Sequence, residues 1–225
     1  MNQFTSLIEQ LREIFPQLDD PKELNSLEDW EDIDDLIDDY FDVMELPKKE
    51  KDKRKDFAKK FNNSVLFIFA LITVMREENR IRRVELISKL SDEYRNLLSQ
   101  YMDIDDYLDE HINEFSNETI DVTLRHEEDF FTSQDRAFLI SVNEANTGFN
   151  YEQYINAIES GKTRKKWITE KDNRVRKTHR ALDEKTIPIL NTFSVGKTYM
   201  RFPHDTLFSA NYEELSNCRC TISYL

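Results

Sequence analysis

The side chains most able to bind a metal come from two separate places in the sequence. Asp172 and His179 lie in one segment, and Cys218 and Cys220 flank a single arginine much later in the chain. Carboxylate, imidazole and thiolate groups are all zinc ligands in tetrahedral sites. A Cys-x-Cys pair, however, lacks the longer spacer that is usual between zinc-binding cysteines. We therefore expect no cofactor and predict that the cysteines pack as small apolar groups, with a zinc site at these four residues as the alternative.

Proton transfer is the second chemistry that these residue types suggest. The imidazole of His179 changes its charge near neutral pH, and it follows Arg174, Arg176 and Thr178. Such a group could perform general acid–base cleavage of RNA. The sequence positions no second acid or base beside the histidine, so we predict a structural segment and no enzymatic activity. A nuclease that uses His179 is the competing hypothesis.

Charge is distributed unevenly along this chain, whose net charge is −14. Every charged residue between Glu28 and Glu45 is acidic, whereas the segment from Lys162 to Arg180 has nine basic residues and two acidic ones. The basic segment could contact DNA phosphates without sequence preference, or an acidic protein surface. Its candidate contact residues are Lys162, Arg164, Lys165, Lys166, Lys177 and Arg180. The acidic segment is typical of an amphipathic helix, and docking to a basic partner is its alternative use.

Apolar spacing predicts a largely helical chain that ends in short strands, and thus the α+β class. The predicted helices are Phe4–Ile14, Leu27–Met44, Asp56–Arg83, Val84–Met102, Ile104–Phe115, Asn117–Phe131, Asp135–Gly148 and Tyr151–Ser160. The predicted strands are Lys166–Thr169, Thr186–Ile189 and Cys220–Tyr224. We therefore divide the chain into a helical N-terminal module, residues 1–132, and a small mixed α/β module, residues 133–225. The apolar run Val65–Met75 is too short to span a bilayer and predicts a buried helix, so we expect no membrane contact.

An ordered series of residues in the second module carries a family resemblance. From Trp167 to Asp183 the pattern is W-x-T-x-x-D-x-R-x-R-x-x-H-x-x-L-D, followed by Pro203-His204-Asp205 and by Asn217-Cys218-Arg219-Cys220. From Arg136 onward, the chain resembles the C-terminal region of phage head morphogenesis proteins of the Mu F-like type. It departs from that pattern at Glu184 and His204, where glycine is usual, so we expect slightly different turns there.

The resemblance implies a non-enzymatic minor head protein that takes part in capsid assembly and in DNA packaging or delivery near the portal. Its implied partners are the portal protein and other head proteins, in the virion or procapsid and, before assembly, in the host bacterial cytoplasm. An acidic regulator that binds a host protein is a third hypothesis. The residues that the resemblance marks as a structural motif are Trp167, Thr169, Asp172, Arg174, Arg176, His179, Asn217, Cys218 and Cys220.

The motif also carries a geometric expectation. A helix that begins near Asp172 would be capped by that carboxylate and would place Asp172 and Arg176 on one face. The last strand would fold back onto this helix and bring the Asn217 amide to it. In that strand both thiols would point to one side and Arg219 to the other.

Overall fold

A computed structural model describes residues 30–207 and 212–225. Contacts divide the chain into two units, residues 1–36 and residues 37–225, and nearly all of the description belongs to the second. The predicted helix Phe4–Ile14 lies outside the described residues. The α+β class is confirmed: long helices come first and short antiparallel strands follow.

Five longer helices account for most of the described chain. They are α1, Trp30–Asp42; α2, Lys48–Glu77; α3, Arg83–Leu98; α4, Asp106–Arg125; and α5, Gln134–Glu159. A 3-10 helix, Asp129–Thr132, precedes α5. Helix α2 begins directly after Pro47 and not at Asp56 as predicted, because the lysine-rich stretch forms its first turns. The cap of α4 is Asp105, whose side chain accepts a hydrogen bond from the Leu108 N–H.

Two predicted helix breaks are wrong. Helix α4 runs without interruption through Ser116, which is fully buried, and α5 runs through Gly148. Close packing favours glycine at position 148, since a Cβ there would lie 2.9 Å from Leu98 Cδ1 and that side chain would have to shift. The close approach of α3 and α5 therefore explains a residue that the sequence suggested was a helix stop.

The helices surround an aromatic core. Phe57 and Phe61 of α2 contact Tyr94 of α3, and Phe57 also meets Phe149 of α5 edge to face. Helix α5 packs most extensively against α2, so contacts cross the predicted division near residue 133. That division stays a prediction, because packing does not show whether either part folds alone.

By length and composition, α2 could cross a membrane, and 61% of its most apolar window is buried inside the fold. A core helix has the same properties, and the run from Val65 to Ile72 does contribute largely buried side chains. The prediction of a buried helix at Val65–Met75 agrees with this placement. The absence of a membrane contact stays a prediction.

The C-terminal region contains a three-stranded antiparallel sheet and a separate hairpin. The sheet has the order β2-β1-β5 and comprises β1, Arg164–Ile168; β2, Thr186–Pro188; and β5, Thr221–Tyr224. These agree with the predicted strands to within about two residues, the usual uncertainty of element ends. The hairpin of β3, Phe193–Val195, and β4, Thr198–Met200, was not predicted. Two one-turn helices complete the region, α6, Lys177–Arg180, and α7, Tyr212–Leu215.

Candidate metal centre

The segment that precedes His179 is a turn and not the predicted helix. Asp172 Oδ1 accepts hydrogen bonds from the backbone N–H groups of Arg174 and Val175, at 3.0 and 3.1 Å, and only Lys177–Arg180 is helical. The predicted capping contacts of Asp172 are therefore present, but they close a turn. Asp172 and Arg176 do not share a helix face, because no helix includes them. The guanidinium of Arg176 donates a hydrogen bond to the Ser216 carbonyl.

The Cys218-Arg219-Cys220 triplet folds back onto this turn as predicted. Both thiol sulfurs lie 3.4 Å from His179 Nδ1, while Arg219 donates to Asp172 Oδ2 at 2.7 Å. The triplet is extended, so alternate side chains face opposite ways. It lies just before β5 and not within a strand. His179, Cys218 and Cys220 are all at most 3% exposed, and their ligand atoms lie within 4.8 Å of one another.

A carboxylate that the sequence analysis missed completes this cluster. Glu214 Oε2 lies 3.1 Å from His179 Nε2 and accepts a hydrogen bond from the Thr178 hydroxyl at 2.7 Å. The turn between β3 and β4 closes over it at Gly196, which has a φ of 58°. A Cβ at position 196 would lie 2.1 Å from Glu214 Oε1, so only glycine fits.

The two thiols have opposite acid–base properties. The hydrogen bond from Cys220 lowers the pKa of Cys218, and His179 adds to this effect against the opposing influence of burial. The same hydrogen bond, together with burial, raises the pKa of Cys220. Burial alone would lower the pKa of His179, but its hydrogen bond to Cys218 and the charge of that thiolate raise it. The hydrogen bond between the two thiols therefore favours the thiolate at Cys218 over the thiolate at Cys220.

A small cavity is lined by the three candidate ligand residues. It measures about 20 Å³ and is lined by His179, Cys218 and Cys220 together with Glu170 and the arginines on either side. A space of that size holds one water molecule. Asp172 does not line it, because its carboxylate is turned toward Arg219 and the backbone.

The triplet is also held from the helical part of the chain. The Cys218 carbonyl accepts hydrogen bonds from the Tyr40 hydroxyl at 3.0 Å and from His204 Nε2 at 2.7 Å. The Tyr40 hydroxyl accepts a hydrogen bond from the side-chain N–H of Asn146. The side-chain oxygen of Asn146 in turn accepts a hydrogen bond from the buried guanidinium of Arg54, at 2.6 Å. Side chains of α1, α2 and α5 therefore fix the backbone beside the thiols.

Comparison with known proteins adds nothing to this picture. No family model, no curated protein and no solved structure matches the chain significantly. The resemblance described above therefore depends on the motif residues and on where they lie.

The remaining motif residues differ in their burial and in their contacts. Trp167 is fully buried, with its ring edge-on to His179, and the N–H of Thr169 donates to Asp183 Oδ1. Arg174 is largely exposed. Asn217 lines the small cavity together with His179 and the two cysteines, and it adopts a left-handed conformation with a φ of 55°. Its contact is a hydrogen bond from its backbone N–H to Asn143 Oδ1, at 3.1 Å.

The two positions that depart from the family pattern keep the backbone that glycine favours. Glu184 has a φ of 62° and His204 a φ of 68°. The expected difference in turn geometry stays a prediction, but both positions have the positive φ that glycine adopts most easily. The departure consists of added side chains in a strained conformation, which costs about 1 to 2 kcal/mol at each position.

The basic residues proposed for DNA contact differ in their exposure. Lys162, Arg164 and Lys177 are exposed, while Lys166 is paired with Glu184 at 2.6 Å. Arg180 is exposed and donates to two backbone carbonyls. Lys165 is fully buried, so including it was wrong: in this conformation it cannot reach a phosphate.

Proposed function

We propose that this chain is a non-enzymatic minor head protein of a phage, of the Mu F-like type. In this proposal it takes part in capsid assembly and in DNA packaging or delivery near the portal. Its partners are the portal protein and other head proteins, in the procapsid or virion and, before assembly, in the host bacterial cytoplasm. The observation that supports the proposal is the convergence of motif residues into one buried cluster.

That convergence is informative because the motif was recognised from residue types alone. His179 and Cys218 are separated by 39 positions, and Arg219 and Asp172 by 47, yet both pairs are in contact. Trp167 packs against the same imidazole. A chance match of residue types would give no reason for these side chains to meet. Their contact is what a motif that specifies one structural unit requires.

The surroundings of His179 favour an architectural role over nuclease activity. Its side chain is 2% exposed, and its two ring nitrogens face the thiols and Glu214. A general base must come within hydrogen-bond reach of the proton that it abstracts. In this arrangement both ring nitrogens already have hydrogen-bonding partners, which disfavours proton abstraction from a substrate.

Exposed basic residues give the proposal a testable surface. Lys162, Arg164 and Lys177 could contact DNA phosphates or an acidic protein face without sequence preference. None of them contributes to the buried cluster, so their charge can be reversed with little effect on folding.

Assembly is tested by co-expressing the full chain with the portal and head proteins encoded beside it, followed by sedimentation. We expect the chain to sediment with procapsids and to co-purify with the portal. The triple variant Lys162→Glu, Arg164→Glu and Lys177→Glu tests the basic surface, and the double variant Lys48→Glu and Lys49→Glu, at exposed lysines of α2, is its control. Procapsids that form normally and never contain the chain would contradict the proposal. RNA or DNA cleavage that disappears in His179→Ala would favour the nuclease hypothesis instead.

A further inference from the structure

We propose that His179, Cys218 and Cys220 bind a zinc ion, with Glu214 orienting the imidazole and a water molecule in the fourth coordination position. This site goes beyond the proposed function, since capsid assembly by itself requires no metal. Three features of the cluster support it: the ligand spacing, the carboxylate behind the histidine, and the adjoining cavity.

The spacing matches the geometry of tetrahedral zinc. Zinc–sulfur bonds of about 2.3 Å and zinc–nitrogen bonds of about 2.0 Å, at tetrahedral angles, place nitrogen and sulfur about 3.6 Å apart and two sulfurs about 3.8 Å apart. Each sulfur lies 3.4 Å from His179 Nδ1. All three ligand atoms lie within 4.8 Å of one another. Both nitrogen–sulfur distances therefore lie within about 0.2 Å of the value for tetrahedral zinc.

The surroundings of the histidine are those of a metal ligand. Histidines that bind zinc generally donate their other N–H to a carboxylate or a carbonyl, which fixes the ring orientation and the tautomer. Glu214 fills that position, and its carboxylate is held by the Thr178 hydroxyl. The glycine at position 196 leaves the space that this carboxylate occupies. Helix α6, helix α7 and the turn between β3 and β4 therefore meet on the Nε2 side of the His179 ring.

The fourth position falls in the small cavity. Among the described residues, the group of close donors contains only the histidine and the two cysteines, so the chain supplies three ligands. The cavity beside them measures about 20 Å³, which accommodates one water molecule. Three protein ligands with one water are a common zinc arrangement. Bound zinc would join residues 179 and 220, across 41 positions of sequence, and would stabilise the fold.

Metal content of the purified full chain is the first measurement. The chain is kept reduced, loaded with zinc, passed through a desalting column and analysed by mass spectrometry. We expect about one zinc ion per folded chain. Cobalt in its place should give sulfur-to-cobalt charge-transfer absorption and the visible bands of a tetrahedral ion. A folded, reduced chain that retains no zinc and gives no such spectrum would overturn the proposal.

Variants then assign the ligands. The double variant Cys218→Ser and Cys220→Ser should lose the metal and the cobalt spectrum, whereas His126→Asn, a change of a histidine elsewhere in the chain, should keep both. Glu214→Gln should weaken zinc binding by about 10- to 100-fold. Circular dichroism verifies the folding of each variant. Should the double variant fail to fold, the cobalt spectrum of the unaltered chain still decides whether thiolates bind the metal. Undiminished zinc in a folded double variant would refute the assignment, whatever the outcome of the capsid experiment.

Discussion

Lys165 offers the sharpest test of the energetics of this fold. Its side chain is fully buried in β1, and its ammonium group has no hydrogen-bond partner among the described residues. The ammonium lies 4.9 Å from the centre of the Tyr154 ring and 5.6 Å from that of Phe193. Burial lowers the pKa of Lys165 to about 7; the carboxylate of Asp205 opposes this effect and Arg201 adds to it.

The magnitude follows from that shift. Lowering the pKa of the amine from 10.5 to about 7 corresponds to about 4 kcal/mol at neutral pH, at about 1.4 kcal/mol per pKa unit. Lys165→Met keeps the linear apolar stem and removes the charge. We therefore expect it to raise the free energy of unfolding by up to about 4 kcal/mol at neutral pH.

The lowered pKa also fixes how the stability difference between the native protein and Lys165→Met changes with pH. Below about pH 7 the amine is charged in both the folded and the unfolded chain, so the native protein bears the full cost of burying that charge. Between about pH 7 and pH 10 the unfolded chain binds more protons at this site, so the native protein gains stability relative to the variant as pH rises. The difference between the two proteins should shrink by about 1.4 kcal/mol per pH unit above pH 7.

Urea unfolding, followed by tryptophan fluorescence at about pH 6, pH 7.5 and pH 9, measures this difference. Lys162→Met, a change at an exposed lysine of the same segment, is the matched control and should alter stability by less than about 0.5 kcal/mol at every pH. A difference between Lys165→Met and the native chain that stays constant with pH would show that the buried ammonium is not the cause. A destabilised variant would refute the reasoning outright.

Other perturbations test the turns and the helix contact. Gly148→Ala should lower the free energy of unfolding by about 1 to 3 kcal/mol, because its Cβ overlaps Leu98 Cδ1; adding Leu98→Ala should make the two losses less than additive in a thermal double-mutant cycle. Glu184→Gly should raise stability by up to about 1 kcal/mol in chemical denaturation, since it relieves a left-handed conformation and loses only exposed ion pairs. Asp172→Ala should lower the free energy of unfolding by about 1 to 2 kcal/mol. Asp172→Asn should retain the turn and lose mainly the ion pair with Arg219. Equal losses of stability in the two variants would contradict a capping role for Asp172.

Much of this architecture follows from local patterns in the sequence. Apolar spacing locates the helices because a buried stripe recurs every three or four residues, as in the helix predicted at Leu27–Met44 and described from Trp30 to Asp42. Alternation places Cys218 and Cys220 on one side of an extended segment and Arg219 on the other. These features depend on residues close together in sequence.

The failures concern contacts between distant residues. The sequence around Gly148 suggests the end of a helix, because the residue that explains the glycine, Leu98, lies 50 positions away in sequence. Glu214 belongs to the cluster only because α7 brings it to His179, and one acid among many gives no signal of its own. The burial of Lys165 is predictable from the sequence, because in a strand it lies on the same face as Trp167.

The position of the triplet in the chain has a consequence for biosynthesis. Because Cys218 is held by Tyr40 and joined through Asn146 to Arg54, groups from early and late parts of the chain meet at one carbonyl. Tyr40 and Asn146 are synthesised well before Cys218, so the hydrogen bonds that join them to its carbonyl can form only after the C-terminal triplet has been made. The final arrangement of these helix residues therefore depends on residues that are translated long after them.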